Sequence, residues 1–137
     1  ASRTAVLTLI AGYPSGSTAF NYNGYSAGGL ELTLPAGWTL QVQCENRSTV
    51  PNSCAVVSDR RATAPVDAAW STHNPVRGLP AGDSESFAFS PPAPADYRIA
   101  SLVPGSEASG MWMLVHAVAA GEPRITGTAA PNSCATC

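Results

Sequence analysis

Lysine is absent from this chain of 137 residues, so all seven of its basic residues are arginines. Charged residues make up 12% of the sequence, about half the usual share, and the nearest approach to a basic cluster is Arg60-Arg61. Nucleic acids and anionic lipids both select clustered cations, so we expect neither as a partner. The low charge leaves two explanations open: a surface covered by another molecule, or a neutral surface rich in serine and threonine.

A long apolar run is also missing. The longest one, Ala5–Ala11, is far too short to span a bilayer, and we therefore expect no direct membrane span. The sequence starts with Ala1-Ser2 instead of methionine, and small residues of this kind suit the mature side of a signal-peptidase cut. We expect a secreted chain, periplasmic or extracellular, while noting that a trimmed sequence would look the same.

Helical periodicity is the third absence. The best helix candidate, Arg60–Trp70, is interrupted by Pro65, and 12 Gly and 12 Pro punctuate the chain. Short runs of β character stand between these turns, and several alternate with the period of two that is typical of half-buried strands. The runs are Ala5–Ala11, Leu30–Leu34, Trp38–Cys44, Cys54–Val57, Glu85–Phe89, Asp96–Ala100 and Met111–Val118. The pattern predicts an all-β sandwich.

Four cysteines are present: Cys44, Cys54, Cys134 and Cys137. An even number in a chain of this composition favours an oxidising compartment. Four cysteines allow three complete pairings, and their spacing alone does not choose among them.

Two segments carry a family resemblance. One ends at Asn52 and reads GGLELTLPAGWTLQVQCENRSTVPN; the other, Tyr97–Trp112, reads YRIASLVPGSEASGMW. Both resemble the copper-binding stretches of sulfocyanin-like cupredoxins, in which the first ends in Pro-His and the second carries Cys-x4-His-x4-Met before a Trp. The resemblance implies a cupredoxin-like Greek-key β-sandwich over residues 1–118, with a long variable loop at 58–82 and an irregular C-terminal tail at 119–137.

The same resemblance implies that the copper ligands have been replaced. Asn52 stands at the first His position, Ser101 at the Cys position and Ser106 at the second His position, while the weak axial ligand is kept as Met111. A blue-copper site needs a thiolate and two imidazoles, so we expect no bound metal and no other cofactor. We expect the amide and the two hydroxyls to hydrogen-bond to one another, to the loop backbone or to a trapped water, because an unpaired buried polar group costs about 1–3 kcal/mol.

The resemblance also bears on the disulfides. Cys44 stands where the family usually has a large apolar residue, and we expect Cys44 and Cys54 to face inward from neighbouring strands. We therefore favour a Cys44–Cys54 disulfide. Cys134 and Cys137 form a C-x-x-C, for which a local bridge and a link from one of them to the body both remain open. The redox interpretation would require a strand-to-helix setting that this tail does not offer.

Other metal ligands are scarce. His73 lies in the long loop, and His116 follows Met111 by five positions, which on one strand places it on the opposite face. We expect both histidines to face solvent and not to bind a metal. A displaced metal site formed by Cys54 and Met111 is the remaining alternative.

Catalytic groups are scarcer still. Neither Ser101 nor Ser106 has a histidine at a suggestive spacing, and Asp83, Glu85 and Asp96 look like isolated carboxylates. General acid–base or nucleophilic catalysis needs such groups in pairs, so we do not expect an enzyme.

Two functions remain. The resemblance implies a non-catalytic, copper-free structural or docking subunit on the extracytoplasmic side, accessory to a membrane electron-transfer complex that is respiratory or photosynthetic. Its partners would be other protein subunits of that complex, and the extended Pro-containing segment Phe89–Ala95 suits such contacts. The alternative is an electron-transfer or metal-binding protein with an unconventional metal site.

Overall fold

The structure is a computed structural model that describes residues 3–14 and 20–127. This described part contains eight strands and no helix. The strands are β1 (Thr4–Ala11), β2 (Leu30–Pro35), β3 (Thr39–Asn46), β4 (Ala55–Val57), β5 (Ser84–Phe89), β6 (Ala95–Ala100), β7 (Trp112–Val118) and β8 (Arg124–Gly127). The first seven begin and end within two residues of the seven runs of β character in the sequence.

Two sheets face each other across one core. The first has the order β1-β3-β5, and the second has the order β4-β6-β7-β2-β8. Strands β1 and β3 are parallel, as are β2 and β7, whereas β3 with β5 and β6 with β7 are antiparallel. Because consecutive strands β2 and β3 belong to different sheets, the chain crosses between layers. The predicted all-β sandwich is confirmed.

The core forms because alternate residues of each strand point inward. On β3 the buried side chains are Leu40, Val42 and Cys44, and on β7 they are Met113, Val115 and Ala117. Burial of one large aliphatic side chain contributes about 1.5–3 kcal/mol. The same alternation leaves the even-numbered residues of β7, including His116, on the outer face of the second sheet.

The long loop at 58–82 is irregular but anchored. Its Trp70 packs edge-to-face against Phe89, with ring centroids 4.7 Å apart, and lies 6.0 Å from Tyr97 in the same geometry. Main-chain bridges join Ala55 to Ser71 and Asn52 to Leu79. The loop is therefore fixed against the end of the sandwich where the site lies.

The disulfide joins Cys44 to Cys54, as the resemblance favoured. The expectation that the two cysteines lie on neighbouring strands was wrong, because Cys44 is on β3 of the first sheet and Cys54 immediately precedes β4 of the second. The connection between these strands crosses from one sheet to the other, so the bridge runs through the core and ties the two layers together. Cys134 and Cys137 lie outside the described residues.

The structure differs from the predicted boundary at residue 118. Strand β8 falls in the segment expected to be an irregular tail, and it pairs antiparallel with β2 at the edge of the second sheet. All four of its residues are exposed, so main-chain hydrogen bonds and not an apolar face hold it in place. Residues 128–137 lie outside the described part. Within residues 3–14 and 20–127, no helical segment has the length and apolarity needed to cross a bilayer.

Candidate functional site

Three connections meet at one end of the sandwich. The β3–β4 connection carries Asn52, the β6–β7 connection carries Ser101 and Ser106, and the long loop contributes Leu79. The main chains of Asn52 and Leu79 bond to each other in both directions, at 3.2 and 2.6 Å. This pairing holds the Asn52 side chain beneath the β6–β7 connection.

Asn52, Ser101 and Ser106 form a hydrogen-bonded group that we call the buried triad. The Ser101 hydroxyl donates to Asn52 Oδ1 at 3.0 Å, and the Ser106 hydroxyl donates to the same oxygen at 3.4 Å. The three residues are 1%, 0% and 3% exposed, respectively. The expectation that these side chains come together and bond to one another is confirmed.

The buried triad is satisfied on its remaining sides as well. Asn52 Nδ2 donates to Ser48 Oγ at 2.8 Å, and the Ser53 amide donates to Ser101 Oγ at 3.1 Å. Across residues 3–14 and 20–127, no buried side-chain nitrogen or oxygen lacks a hydrogen-bond partner. The group is therefore a neutral network in which each buried side-chain nitrogen and oxygen already has at least one hydrogen-bond partner in the protein.

Met111 completes the loop that covers the buried triad. Its side chain belongs to the hydrophobic core and is fully buried. Its amide donates to the Ser106 carbonyl at 3.0 Å, and its carbonyl accepts from the Ser101 amide at 3.2 Å. The residues at 101, 106 and 111 are thus joined through their backbones.

A second polar layer, which the sequence analysis missed, lies behind the triad. The Ser53 hydroxyl donates to the Pro75 carbonyl at 2.7 Å and accepts from the Leu102 amide at 2.9 Å. The Tyr22 hydroxyl donates to the Ser53 carbonyl at 2.5 Å. Burial raises the pKa of Tyr22 well above its usual value, with Glu107 adding to the effect, so this phenol is a neutral donor. In the sequence, the only sign of this layer was the small polar residue Ser53, which stands between Asn52 and Cys54.

The donors at this site do not fit copper. A blue-copper ion requires a thiolate and two imidazoles in addition to its weak axial thioether, whereas the buried triad offers an amide and two hydroxyls. The displaced site considered for Cys54 and Met111 is contradicted, because the sulfur of Cys54 is held in the disulfide. The described part of the chain contains no group of three His, Cys, Asp or Glu side chains placed to hold a metal ion.

Both histidines face solvent, as expected. The side chain of His73 is 92% exposed, and its main-chain amide donates to Glu85 at 2.8 Å. On the outer face of the second sheet, His116 lies between two carboxylates, with Nδ1 2.8 Å from Asp96 and Nε2 3.0 Å from Glu31. We call Glu31, Asp96 and His116 the surface triad.

The histidine contacts correct one expectation about the carboxylates, and those of the surface triad shift the pKa of His116. Glu85 and Asp96, taken from the sequence as isolated carboxylates, each contact a histidine, at 3.4 and 2.8 Å respectively. The hydrogen bond that His116 makes to the Asp96 carboxylate, followed by the one to Glu31, raises the pKa of His116. No spacing rule links Glu31 to His116, because these residues are 85 positions apart.

An open cleft of about 670 Å³ lies outside the buried triad. Arg60, Arg61, Arg98 and Trp112 line it, and we call it the arginine cleft. The Arg98 guanidinium lies 3.6 Å from the centre of the Trp112 ring and 3.2 Å from a carboxylate oxygen of Glu107. Burial raises the pKa of Glu107, although Arg98 opposes the shift. Ser101 also borders the cleft, so the cleft and the buried triad share a wall.

Comparisons with known proteins agree with this geometry. The sulfocyanin (SoxE) domain family matches residues 1–123. A sulfocyanin from Sulfolobus acidocaldarius is 28% identical over 127 residues, which is 83% of this chain and 63% of that protein. This chain therefore spans less than two thirds of that relative.

Solved structures show the same fold at low identity. Rusticyanin from Thiobacillus ferrooxidans superposes with a TM-score of 0.65 at 20% identity, covering 86% of this chain and 79% of that one. Reduced auracyanin from the photosynthetic bacterium Roseiflexus castenholzii gives 0.60 at 22% identity, covering 86% and 98%. These likenesses confirm the cupredoxin-like sandwich.

Proposed function

The chain belongs to the sulfocyanin (SoxE) family, and from that premise we propose that it is a copper-free member whose role is structural. In this proposal it is a non-catalytic docking subunit on the extracytoplasmic side, accessory to a membrane electron-transfer complex. Asn52, Ser101 and Ser106 then occupy the positions of former copper ligands, and Met111 is the retained axial residue.

In this family, whether a member can carry electrons depends on whether the residues at its ligand positions can bind copper. Cupredoxin-like proteins are generally electron carriers and not enzymes, and rusticyanin is a copper protein. In such a domain the metal accepts and donates the electron. A chain that keeps the sandwich but lacks a competent donor set would keep only the surface of an electron carrier.

The observation that carries the proposal is the buried triad. Asn52 Oδ1 accepts from both serine hydroxyls, and the amide nitrogen donates to Ser48. Each polar atom that could face an ion is therefore already bonded to the protein. A protonated hydroxyl is a poor ligand for Cu(II), and two of them with one amide do not replace a thiolate and two imidazoles.

Two further features support docking as the role. The charged fraction of the chain is low, at 12%, and several aliphatic side chains lie on the surface, including Val66 at 49% and Val76 at 52% exposure. A cross-linked sandwich with a fixed loop offers a preorganised surface, which reduces the entropy cost of association. The disulfide supports an oxidising, extracytoplasmic location.

Copper titration tests the loss of the metal. Purified protein with its disulfide intact should give no blue absorption and no blue-copper paramagnetic signal when Cu(II) is added in excess. Wild-type protein that takes up one equivalent of copper and turns blue would refute the copper-free assignment. It would favour the alternative, electron transfer through an unconventional site.

Co-purification tests the docking role. The native membrane should be solubilised in mild detergent, and the protein should elute with a larger complex that contains electron-transfer subunits. Elution of all the protein as a free monomer, in detergents that preserve the host's other membrane complexes, would contradict the docking role.

A further inference from the structure

We propose that the arginine cleft is the docking site, and that its occupant is an acidic segment of a partner protein in which Asp or Glu side chains flank an apolar residue. The inference rests on the proposed docking function and names the kind of partner. It follows from the charge, the shape and the rigidity of the cleft.

Positive charge is concentrated at this cleft. Arg60, Arg61 and Arg98 are three of the chain's seven basic residues, and Glu107 is the one acidic residue that lines the cleft with them. Glu107 is already paired with Arg98. Arg60 and Arg61 are exposed, and neither forms an ion pair within residues 3–14 and 20–127. Two guanidiniums are therefore available to a ligand.

Guanidinium groups specify the chemistry of that ligand. Each presents a planar set of donors that matches a carboxylate in a two-point geometry. Arg98 adds a third guanidinium, which is held in place by the Trp112 ring and by Glu107. An occupant with several carboxylates along its length would engage Arg60 and Arg61 together.

The apolar part of the wall favours a protein segment over a small anion. Leu102, Val103, Pro104 and Val76 line the cleft beside Trp112. Tryptophan and arginine are among the residues most enriched at energetic centres of protein interfaces. A free phosphate or acetate ion would leave this apolar surface in water, whereas a peptide that carries a leucine between carboxylates would cover it.

Other polyanions fit less well. Lipid headgroup recognition uses clusters of about 4–8 basic residues near the membrane surface, and this cleft has three, one of them already paired with Glu107. Nucleic acid binding needs an extended basic surface, whereas this chain carries a net charge of −2. The acidic protein segment is the polyanion that matches both the number of arginines and the apolar wall.

The buried triad gives the cleft its fixed shape. Ser101 borders the cleft and bonds to Asn52 behind it. The segment from Ser101 to Met111 forms much of the cleft wall. The Ser101 amide donates to the Met111 carbonyl and the Met111 amide donates to the Ser106 carbonyl, so the segment is closed on itself. A wall held in this way does not have to be ordered when a partner binds, which improves affinity.

A peptide titration tests the cleft directly. The probe is a synthetic hexapeptide of four glutamates and two leucines, and its control has glutamines in place of the glutamates. The indole N–H signal of Trp112 should shift on addition of the acidic peptide, while those of Trp38 and Trp70 should not. Glutamine peptide, sodium phosphate and phosphatidylglycerol vesicles should leave Trp112 unchanged at equal concentration.

Variants then assign the binding to the arginines. Arg60→Glu/Arg61→Glu should weaken peptide binding by about tenfold or more. Arg3→Glu, which changes an exposed arginine just before β1, should leave binding unchanged. A Trp112 signal that does not respond to the acidic peptide would overturn the proposal. Peptide binding by Arg60→Glu/Arg61→Glu that is as tight as binding by Arg3→Glu would also overturn it. A response to phosphate or to vesicles that matches the response to peptide would also overturn it.

Co-purification with the native complex distinguishes a failure of the cleft proposal from a failure of the docking function. If wild-type protein co-purifies with the complex and Arg60→Glu/Arg61→Glu does not, both proposals stand. If the double variant co-purifies as well as wild type, docking stands and the cleft is not its site. If wild type does not co-purify, the docking function fails, and the cleft loses its role with it.

Discussion

Two groups of three polar side chains are assembled in the same way but in different environments. The buried triad joins side chains from two loops beneath the surface, and the surface triad joins side chains from three strands on the outside of a sheet. In both, a central residue contacts the other two. Asn52 is central in the first and His116 in the second.

The difference between the triads is charge, and burial explains it. Moving an ionised group out of water is costly unless it is paired and fully hydrogen-bonded. The buried triad contains only neutral groups, while the surface triad combines two carboxylates with an imidazole of raised pKa. Neutral hydrogen-bonding side chains are therefore the polar groups that the interior tolerates at the buried triad.

Placing copper ligands at the three positions of the buried triad should change its character completely. Asn52→His/Ser101→Cys/Ser106→His places two imidazoles and a thiolate where three side chains now converge, with Met111 beyond them. We expect this variant to bind one equivalent of Cu(II) and to become blue, because the thiolate supplies the required soft ligand. Absorption and paramagnetic resonance spectra provide the measurement.

The control for this variant is Asn52→His/Ser101→Ala/Ser106→His, which lacks the thiolate. It should remain colourless with copper. A triple variant that folds with its native disulfide and still fails to bind copper would show that these positions are not former ligand positions.

Removing the disulfide tests whether the buried triad alone holds its end of the sandwich. Cys44→Ala/Cys54→Ala opens a loop with a sequence separation of 10, and the chain-entropy estimate for such a loop is about 3 kcal/mol. We expect the free energy of unfolding in urea to fall by about that amount. A loss below about 1 kcal/mol would show that the triad and the core already fix the two sheets relative to each other.

Replacing Asn52, the centre of the buried triad, should lower the free energy of unfolding slightly less than removing the disulfide does. Asn52→Leu removes the shared acceptor and leaves the Ser101 and Ser106 hydroxyls buried without it. The expected loss in the free energy of unfolding is about 2 kcal/mol, measured by urea denaturation. The variant Asn52→Leu/Ser106→Ala removes one stranded donor and keeps Ser101, which still accepts from the Ser53 amide, so it should recover part of the loss. A double variant less stable than Asn52→Leu would contradict this account.

The two triads also show what a sequence reveals about a site. The convergence of Asn52, Ser101 and Ser106 was predicted from a family resemblance, and seven strands were predicted from short runs of β character, several of which alternate. Strand β8 was not, because its residues are all exposed and carry no alternation. The surface triad and the arginine cleft depend on which strands and loops become neighbours, as with Glu31 and His116, and no local spacing encodes that.

The surface triad should make the smallest contribution to the free energy of unfolding, and this contribution should depend on pH. Its carboxylates raise the pKa of His116, so the folded state binds a proton more tightly than the unfolded chain does. The stabilisation is therefore complete below the unfolded-state pKa of about 6.5, and it is lost as the pH rises through the higher folded-state value. Because Asp96 is exposed and solvent screens the pair, the total is less than about 1 kcal/mol.

His116→Gln isolates this contribution, since it keeps a polar side chain and removes the titration. Between about pH 6 and about pH 9, wild type should lose slightly more free energy of unfolding than the variant does. His73→Gln is the matched control, because the His73 imidazole lies 3.4 Å from Glu85 but is 92% exposed, and it should follow wild type. If His116→Gln also followed wild type, the two carboxylates would not be holding a proton on His116, and the raised pKa assigned to it would be wrong.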